Sequence, residues 1–411
     1  MKKVFFWFVT ILIISSVTYF ITKDPSVPSH FDPNDFTRYD ISINQESVDK
    51  MDSLAADALS RYDFSKTKIW FKGKVNGEKA KVRLKGDKQD HYDSDLLSMR
   101  VKFSDSKGKH VFSLTHPKTR RYLSEWIFHQ LLKSEGLPYL NYEFAVVYLN
   151  NEYKGLYARE EHFSNPKIHQ GWDRPKGPIL AFDDEKYWPE GLTNFSREFD
   201  TKSYKEAEIK CFNEKNKKNQ DYKSAVKLLK EYQSGTLVAK DVFDLEKMGQ
   251  YYALVDLVGG SHSLRWINCR FYYNKLTKRL EPAGFDSDSR RINNLVRNNE
   301  ELNPAHHERI FSDSSFCESY NRHLDKYSSH AFLADFYSSR EDELSIYIGA
   351  FKDQFNEDTQ DQINAASINQ WVIWINIVKL PWLIGITLAI LLTLVLAYRL
   401  MKKKRAMLKT K

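Results

Sequence analysis

The chain has 411 residues, of which 42% are hydrophobic, 14% aromatic and 28% charged. This composition is typical of a globular protein with a sizeable core and excludes disorder on a large scale. The formal net charge is +8, and three widely spaced cysteines allow at most one disulfide and fit no zinc motif.

Two apolar segments flank the rest of the chain. Residues 4–22 carry no charge and follow two lysines, and residues 380–398 carry no charge and precede the run KKKR. Each would be about 28 Å long as a helix, which is enough to cross a bilayer. We expect a signal anchor at 1–23, a transmembrane helix at 377–400 and a basic tail at 401–411; the alternatives are a cleaved signal peptide and a buried helix.

The positions of the basic residues predict the orientation of these two segments. Basic residues at both ends place both termini in the cytoplasm and residues 24–376 outside it, in a two-pass protein of the inner or cytoplasmic membrane. Setting aside the basic residues at 2, 3, 23, 379, 399, 402–405, 409 and 411 leaves 51 Lys and Arg against 54 Asp and Glu. The excess positive charge therefore gives no support for nucleic-acid binding.

The first half of the middle region reads as hairpins and helices. A helix is expected near 46–62, a hairpin at 68–87 turning at Asn76 and Gly77, and a strand at 97–103. The apolar spacing over 116–136 predicts an amphipathic helix that Gly136 ends. A second hairpin follows at 142–163 and turns at Asn150 and Asn151.

The second half begins with a polar, lysine-bearing region, 164–240, which is interpreted either as an insertion or lid or as a solvated surface. A long helix is then expected over 243–263, a third hairpin over 270–286 and mostly helix over 290–370. The predicted class is α+β, with antiparallel hairpins followed by a mainly helical half, in one domain (24–376) whose core spans about 68–290 and whose helical C-terminal part is 291–376.

Two acids, Asp286 and Asp288, end the third hairpin in the sequence EPAGFDSDSRR. In a strand their carboxylates would face one side, where like charges need a cation or a proton between them. The alternative is an Asx-rich turn whose acids pair with Arg290 and Arg291.

Several residues could face these acids across a cleft. Arg83 and Lys85 alternate in one segment, Arg100 and Lys102 lie on one strand, Glu161 ends the second hairpin, and Asn268 stands in an aromatic stretch that must satisfy its amide. Arg120 and Arg121 begin a predicted helix, which indicates either an anion there or simple solvation. Bases that hold phosphate, together with Asp and Asn oxygens that suit Mg²⁺, are typical of phosphotransfer sites.

Three segments together resemble the CotH kinase family of spore-coat-type atypical protein kinases. They are VRLKGDKQDHY with SMRVKF (82–103), LPYLNYEFAVVYLNNEYKGLYAREEHF (137–163) and HSLRWINCRFYYNKLTKRLEPAGFDSDS (262–289). The chain departs from the family pattern at Gly284 and Phe285, where the family has Pro-Trp, and at 85–87, where many members have Arg-Gly-x-Ser. These departures put the identity of the substrate in doubt.

The resemblance implies an atypical kinase fold that uses ATP and Mg²⁺ or Mn²⁺ to phosphorylate a hydroxyl of a protein Ser or Thr, or of an envelope polymer such as a polysaccharide. By position, Asp286 and Asp288 would serve metal binding and catalysis, and Asn268 would be a further metal ligand. The residues implied on the nucleotide side are Arg83, Lys85, Lys102 and Glu161.

Two other functions remain open at this point. The chain could be a non-catalytic pseudokinase scaffold of envelope or exopolysaccharide assembly. It could also be a hydrolase whose two carboxylates act as acid and base, since acids at i and i+2 can reach the required spacing of about 5 Å or more.

Overall fold

The structure is a computed structural model that describes residues 31–103, 111–188 and 196–374, together with residue 393. Its N-terminal part is a closed barrel of seven strands in the order β1-β2-β3-β4-β5-β7-β6. Neighbouring strands are antiparallel except β1 and β6, which pair in parallel and close the barrel. The strands are β1 (Thr37–Ile43), β2 (Phe71–Val75), β3 (Glu78–Leu84), β4 (Met99–Phe103), β5 (Val111–Thr115), β6 (Tyr142–Leu149) and β7 (Glu152–Glu161).

Asparagine and glycine turns shape two of the barrel hairpins. Asn76 and Gly77 have φ of 49° and 81°, and Asn150 and Asn151 have φ of 52° and 68°. Tight hairpin loops need left-handed residues at both central positions, and these residue types adopt that conformation most easily. The hairpins expected at 68–87 and 142–163 are confirmed.

Alternating apolar residues fill the inside of the barrel. Val82, Leu84, Val101 and Leu114 are fully buried there. Helix α1 (Gln45–Arg61) packs into the same core through Met51, Ala55 and Ala58. The outward positions of β3 and β4 consequently carry the polar residues of these strands.

The polar region 164–240 builds part of a second sheet. This four-stranded sheet has the order β11-β10-β8-β9, with β8 (Ile179–Phe182), β9 (Ile209–Cys211), β10 (Arg270–Asn274) and β11 (Arg279–Ala283). Tyr204, Leu229 and Tyr232 from this region are fully buried. The region is therefore an integrated part of the fold and not a separate lid, with a buried side as well as exposed lysines such as Lys215 and Lys217.

The helical half packs around one central helix. Asp244 caps this helix by accepting a hydrogen bond from the Lys247 amide at 3.1 Å, and Gly259, at φ 66°, ends it. The helices after α1 are α2 (Leu123–Ser134), α3 (Ile168–Gly171), α4 (Arg197–Glu206), α5 (Gln220–Ser234), α6 (Ala239–Val242), the central α7 (Leu245–Val258), α8 (Pro304–Phe311), α9 (Ser314–Ser328), α10 (His330–Ser338), α11 (Glu341–Phe355) and α12 (Gln360–Ile373). The expected α+β class is confirmed.

The membrane prediction needs correction. Within the part of the chain that the structure describes, no helix is both long and apolar enough to cross a bilayer. The two predicted spans, 1–23 and 377–400, fall on residues outside that part except residue 393, as does the basic tail. The assignment to a two-pass membrane protein is therefore not supported by the structure.

The three cysteines, Cys211, Cys269 and Cys317, are all free thiols.

Candidate functional site

A cavity of about 1130 Å³ lies where the barrel meets the helical half. One row of outward side chains crosses the barrel strands and reaches the cavity. In the strand register, Arg83 lies opposite Arg100, Arg100 opposite Ser113, and Ser113 opposite Glu160. Because strand residues alternate between the two faces, these side chains share the outer face of the barrel. Pairing of the strands therefore brings charged groups that are far apart in sequence to one wall of the cavity.

Lys85 and Glu160 form a buried ion pair on this wall. The Lys85 ammonium lies 3.6 Å from a Glu160 carboxylate oxygen, and its nitrogen has no hydrogen-bond partner. Burial lowers the pKa of Lys85 to about 8, although Glu160 opposes the shift. Burial raises the pKa of Glu160, but Lys85 and then Arg120 more than offset this, so that pKa is lowered. A buried cation with unused donors is suited to bind an anion.

Asp286 faces this pair from the loop after β11. Its Oδ1 lies 3.2 Å from Arg120 Nη1, and its Oδ2 lies 3.7 Å from His262 Nε2. Burial raises its pKa, but Arg120, His262 and Lys85 together outweigh burial and leave the pKa lowered. Asp286 is therefore an ionised carboxylate inside the cavity.

Asp288 lies nearer the mouth of the cavity. Its side chain is 29% exposed against 15% for Asp286, and its Oδ1 accepts a hydrogen bond from Arg121 Nε at 2.5 Å. Arg290 binds the other carboxylate oxygen. Burial raises the pKa of Asp288, but the two arginines lower it further than burial raises it.

The strand geometry expected for the two acids is wrong. Strand β11 ends at Ala283, and Asp286 and Asp288 have φ of 53° and 45°. Two non-glycine residues in the left-handed region cost of order 1 kcal/mol or more each, so the surrounding contacts must hold this loop. The arginines that neutralise the acids come mainly from the segment before α2, and Arg291 pairs with Asp361 instead.

A buried network fixes the residue between the two acids. Glu125, only 1% exposed on α2, accepts hydrogen bonds from the Ser287 amide at 2.9 Å and from the Ser287 hydroxyl at 2.7 Å. His129 accepts a hydrogen bond from the Leu140 amide through Nδ1 at 3.2 Å, and its Nε2 lies 3.3 Å from Glu125. Glu125 was not among the predicted site residues. Its sequence signal is an acid and a histidine four residues apart beside the apolar stripe of a helix.

The other predicted site residues take different positions. Arg83, Glu161 and Asn268 line the cavity, but Lys102 lies outside it, 6.0 Å from the ring of Trp70. Glu161 already accepts hydrogen bonds from the Asn141 amide and the Asn165 side chain. Asn268 precedes β10 and donates to the His262 carbonyl at 3.0 Å.

Arg270 on β10 is a further cavity residue that the sequence analysis did not single out. Its guanidinium stacks over Phe285 at 4.3 Å and donates to the carbonyls of Ile267 and Cys269 at 2.9 and 3.0 Å. Its Nε has no partner, and burial lowers its pKa despite the attraction of Asp184. In the sequence, its position at the start of a buried strand does not distinguish it from an arginine with a purely structural role.

The cavity contains part of the donor set that a divalent ion shared with phosphate would need. Within the described ranges, no cluster of three or more His, Cys, Asp or Glu side chains could hold a metal ion by itself. Mg²⁺ in nucleotide sites needs only one or two carboxylates, with phosphate and water supplying the rest. Asp286, ionised and in the same cavity as the Asn268 amide, provides that kind of partial set.

The barrel and the helical half together enclose a charged cleft that contains ionised carboxylates and buried cations. Phosphotransfer enzymes bind their phosphate donor in clefts of this kind. The family model described as "CotH kinase protein" matches residues 82–345, more than half of the chain. The chain therefore belongs to the CotH kinase family, and the resemblance seen in the sequence is confirmed. The comparison with curated proteins gave no match.

Proposed function

We propose that this protein transfers the γ-phosphoryl group of ATP, with Mg²⁺ or Mn²⁺, to a hydroxyl of an acceptor, most simply a Ser or Thr of a protein. The observation that carries the proposal is the buried Lys85–Glu160 pair facing the Asp286–Arg120 pair in one cavity. Kinase-like phosphotransfer is what membership of the family suggests.

On the donor side, Lys85 binds a phosphate oxygen while Glu160 holds its ammonium in place. Arg120 adds a second cation whose pKa is raised, with Asp286 the main cause opposing burial, so it stays charged. Asp286 and Asn268 would hold the divalent ion, which when bound neutralises charge on the phosphates. These groups stabilise negative charge in a site where water is largely displaced.

On the acceptor side, Asp288 orients the attacking hydroxyl. It is the more exposed of the two acids, which suits a large acceptor that approaches from solvent. Its lowered pKa makes it a weak base. A weak base is sufficient where the transition state is loose and positioning contributes more than proton removal.

The pairing of both acids with arginines supports the pseudokinase scaffold as a second candidate. Asp286 contacts Arg120, and Asp288 contacts Arg121 and Arg290, so the carboxylates are already neutralised by protein side chains. The same pairing argues against the carboxylate-pair hydrolase. That reaction needs one carboxyl to stay protonated near neutral pH, whereas the pKa values of both are lowered.

One set of measurements tests the proposal. The full chain is melted with and without ATP and Mg²⁺ or Mn²⁺, and transfer of labelled phosphate to a Ser/Thr protein acceptor is followed. We expect nucleotide-dependent stabilisation, and a loss of transfer of about a hundredfold or more in Lys85→Ala and Asp286→Asn. Lys50→Ala, an exposed lysine on α1, is the control and should behave as wild type.

The outcomes separate the candidates. Stabilisation by nucleotide without transfer would favour the scaffold over the enzyme. If neither nucleotide nor metal shifts the melting temperature, the phosphotransfer proposal fails.

A further inference from the structure

The outer face of β2, β3 and β4 carries rows of like charges outside the cavity. In the strand register, Lys72 lies opposite Lys81, and Lys81 lies opposite Lys102, so three lysines are neighbours across three strands. A second row pairs Lys74 with Lys79. We call the set Lys72, Lys74, Lys79, Lys81, Arg83, Arg100 and Lys102 the basic face.

The basic face has few direct partners for its charges in the described part of the chain. There, none of its five lysines forms an ion pair, and its two arginines donate hydrogen bonds to the Leu84 carbonyl and the Ser113 hydroxyl. Like charges placed directly opposite each other in a sheet are destabilising. Residues 24–376 hold 51 basic and 54 acidic residues, so the composition of this region does not explain the cluster.

An exposed tryptophan stands beside these charges. Trp70 is 37% exposed, with the Arg83 guanidinium 5.1 Å and the Lys102 ammonium 6.0 Å from its ring centre. Next to it, Ile69 is 46% exposed. Large apolar side chains on an exposed sheet face, together with cations, are typical of binding surfaces.

The basic face is continuous with the cavity. Arg83 and Arg100 belong to the face and also line the cavity, and the row that contains them runs on to Glu160, the partner of Lys85. Arg83 has its pKa lowered to about 10, by burial first and by Arg100 second, so like charges are crowded at this junction. A ligand bound along the strands would reach the cavity without crossing a gap.

We propose that the basic face binds an extended acidic segment of the protein acceptor and thereby delivers a nearby hydroxyl to the cavity. The proposal rests on the proposed function for the delivery step, but not for the binding step. Alternate residues of β3 place Lys79, Lys81 and Arg83 roughly 7 Å apart in succession, and alternate side chains of an extended peptide have the same spacing. An acidic peptide laid along the strand can therefore match one carboxylate to each cation.

The surface suits a peptide better than single-stranded nucleic acid. Binding of successive bases requires a series of aromatic stacking platforms along a groove. Of the large apolar side chains of β2, β3 and β4 and their described flanks, only Ile69 and Trp70 are strongly exposed, so only one indole is available.

The test uses the full chain without nucleotide. Binding of a fluorescent poly-glutamate peptide is measured by anisotropy at increasing salt. We expect binding that weakens with salt, and a loss of affinity of about tenfold or more when Lys72, Lys81 and Lys102 are all replaced by Glu. The control replaces Lys215, Lys217 and Lys218 by Glu, three exposed lysines of the loop before α5, and should retain wild-type affinity.

A single substitution tests the same proposal with less risk that the variant fails to fold. Lys81→Gln removes the middle charge of the row, and its melting temperature should not fall because like-charge contacts are lost. It should bind the peptide more weakly than wild type. Nucleotide-dependent thermal stabilisation, measured in parallel, should be unchanged in every variant.

These measurements distinguish failure of the docking proposal from failure of phosphotransfer. Peptide binding that is absent, or equal in both triple variants, overturns the docking proposal even where nucleotide still binds. Tighter binding of oligothymidylate or of a sulfated polysaccharide than of poly-glutamate overturns it as well. Peptide binding without any nucleotide effect supports the docking surface and contradicts the kinase.

Discussion

At the scale of single residues, Lys85 combines a buried charge with a pKa of about 8. Burial favours the neutral amine, and Glu160 is the neighbour that most strongly favours the charged form, with Asp286 a weaker one. A phosphate would add a second negative group and keep the amine charged. The affinity for an anionic ligand should therefore depend on pH just above neutrality.

We predict that nucleotide affinity falls as pH rises through about 8, by about tenfold or more once the amine is neutral, because a charge-assisted hydrogen bond is lost. Titration of ATP and Mg²⁺ binding by calorimetry across this range measures it. Lys85→Arg keeps the positive charge at every pH used and should remove the inflection. An identical inflection in that variant would assign the titration to another group.

The residue scale also shows what the sequence could predict about the site. The family pattern led to Lys85, Asp286 and Asn268, which line one cavity. It also led to Glu161 as a residue on the nucleotide side, whereas the acid that contacts Lys85 is the neighbouring Glu160. Adjacent strand residues face opposite sides, so a shift of one position is decided by register, which depends on strand pairing.

At the scale of elements, α2 supports the loop that carries both acids. Glu125 accepts two hydrogen bonds from Ser287, and the Ser287 hydroxyl also contacts Ser289 at 2.9 Å. Ser287 is fully buried, so these groups have no access to replacement water. Through these hydrogen bonds to Ser287, helix α2 stabilises the left-handed backbone of Asp286 and Asp288.

We predict that Glu125→Ala destabilises the protein by about 3 kcal/mol, because a buried amide and a buried hydroxyl both lose their acceptor. Glu125→Gln keeps an acceptor oxygen and should retain most of the stability. If Glu125 positions the loop, the Gln variant should still show a lower rate of phosphate transfer while KM for ATP stays close to wild type. Urea unfolding and steady-state kinetics measure these effects, with Glu143→Gln on the barrel as the control.

The elements themselves were predictable to different degrees. The hairpin turns at Asn76 and Asn150 follow from local turn chemistry. The parallel pairing of β1 with β6, which closes the barrel, joins Thr37 to Ala145 and has no local signal. The expected helix 116–136 is interrupted because Arg121 and Tyr122 are left-handed, and this break lets Arg120 and Arg121 reach the two acids.

At the scale of the whole molecule, a buried acid links three parts of the helical half. Asp256 on α7 is 0% exposed, and it accepts hydrogen bonds from the Tyr320 hydroxyl on α9 and from the Val296 amide at 2.8 Å. Within the described residues no cation forms an ion pair with it, and burial raises its pKa to about 7 against the weaker attraction of Arg297. The protonated form therefore persists to higher pH in the folded protein than in the unfolded chain.

We predict that Asp256 contributes less stability as pH rises from about 4 to about 7, because its folded-state pKa lies above its unfolded value. Its contribution is fully present below the unfolded pKa and is lost as pH passes the folded one. The buried histidines act in the opposite direction, because burial lowers the pKa of His307 to about 4 and that of His162 to about 3. One proton changes the free energy of unfolding by up to about 1.4 kcal/mol per pH unit in this window. Asp256→Asn can still accept from Val296, carries no charge, and should make the rise of stability with pH steeper than in the wild type. Urea unfolding at several pH values compares the two proteins, and an equal slope in the variant would show that another buried group controls the pH dependence.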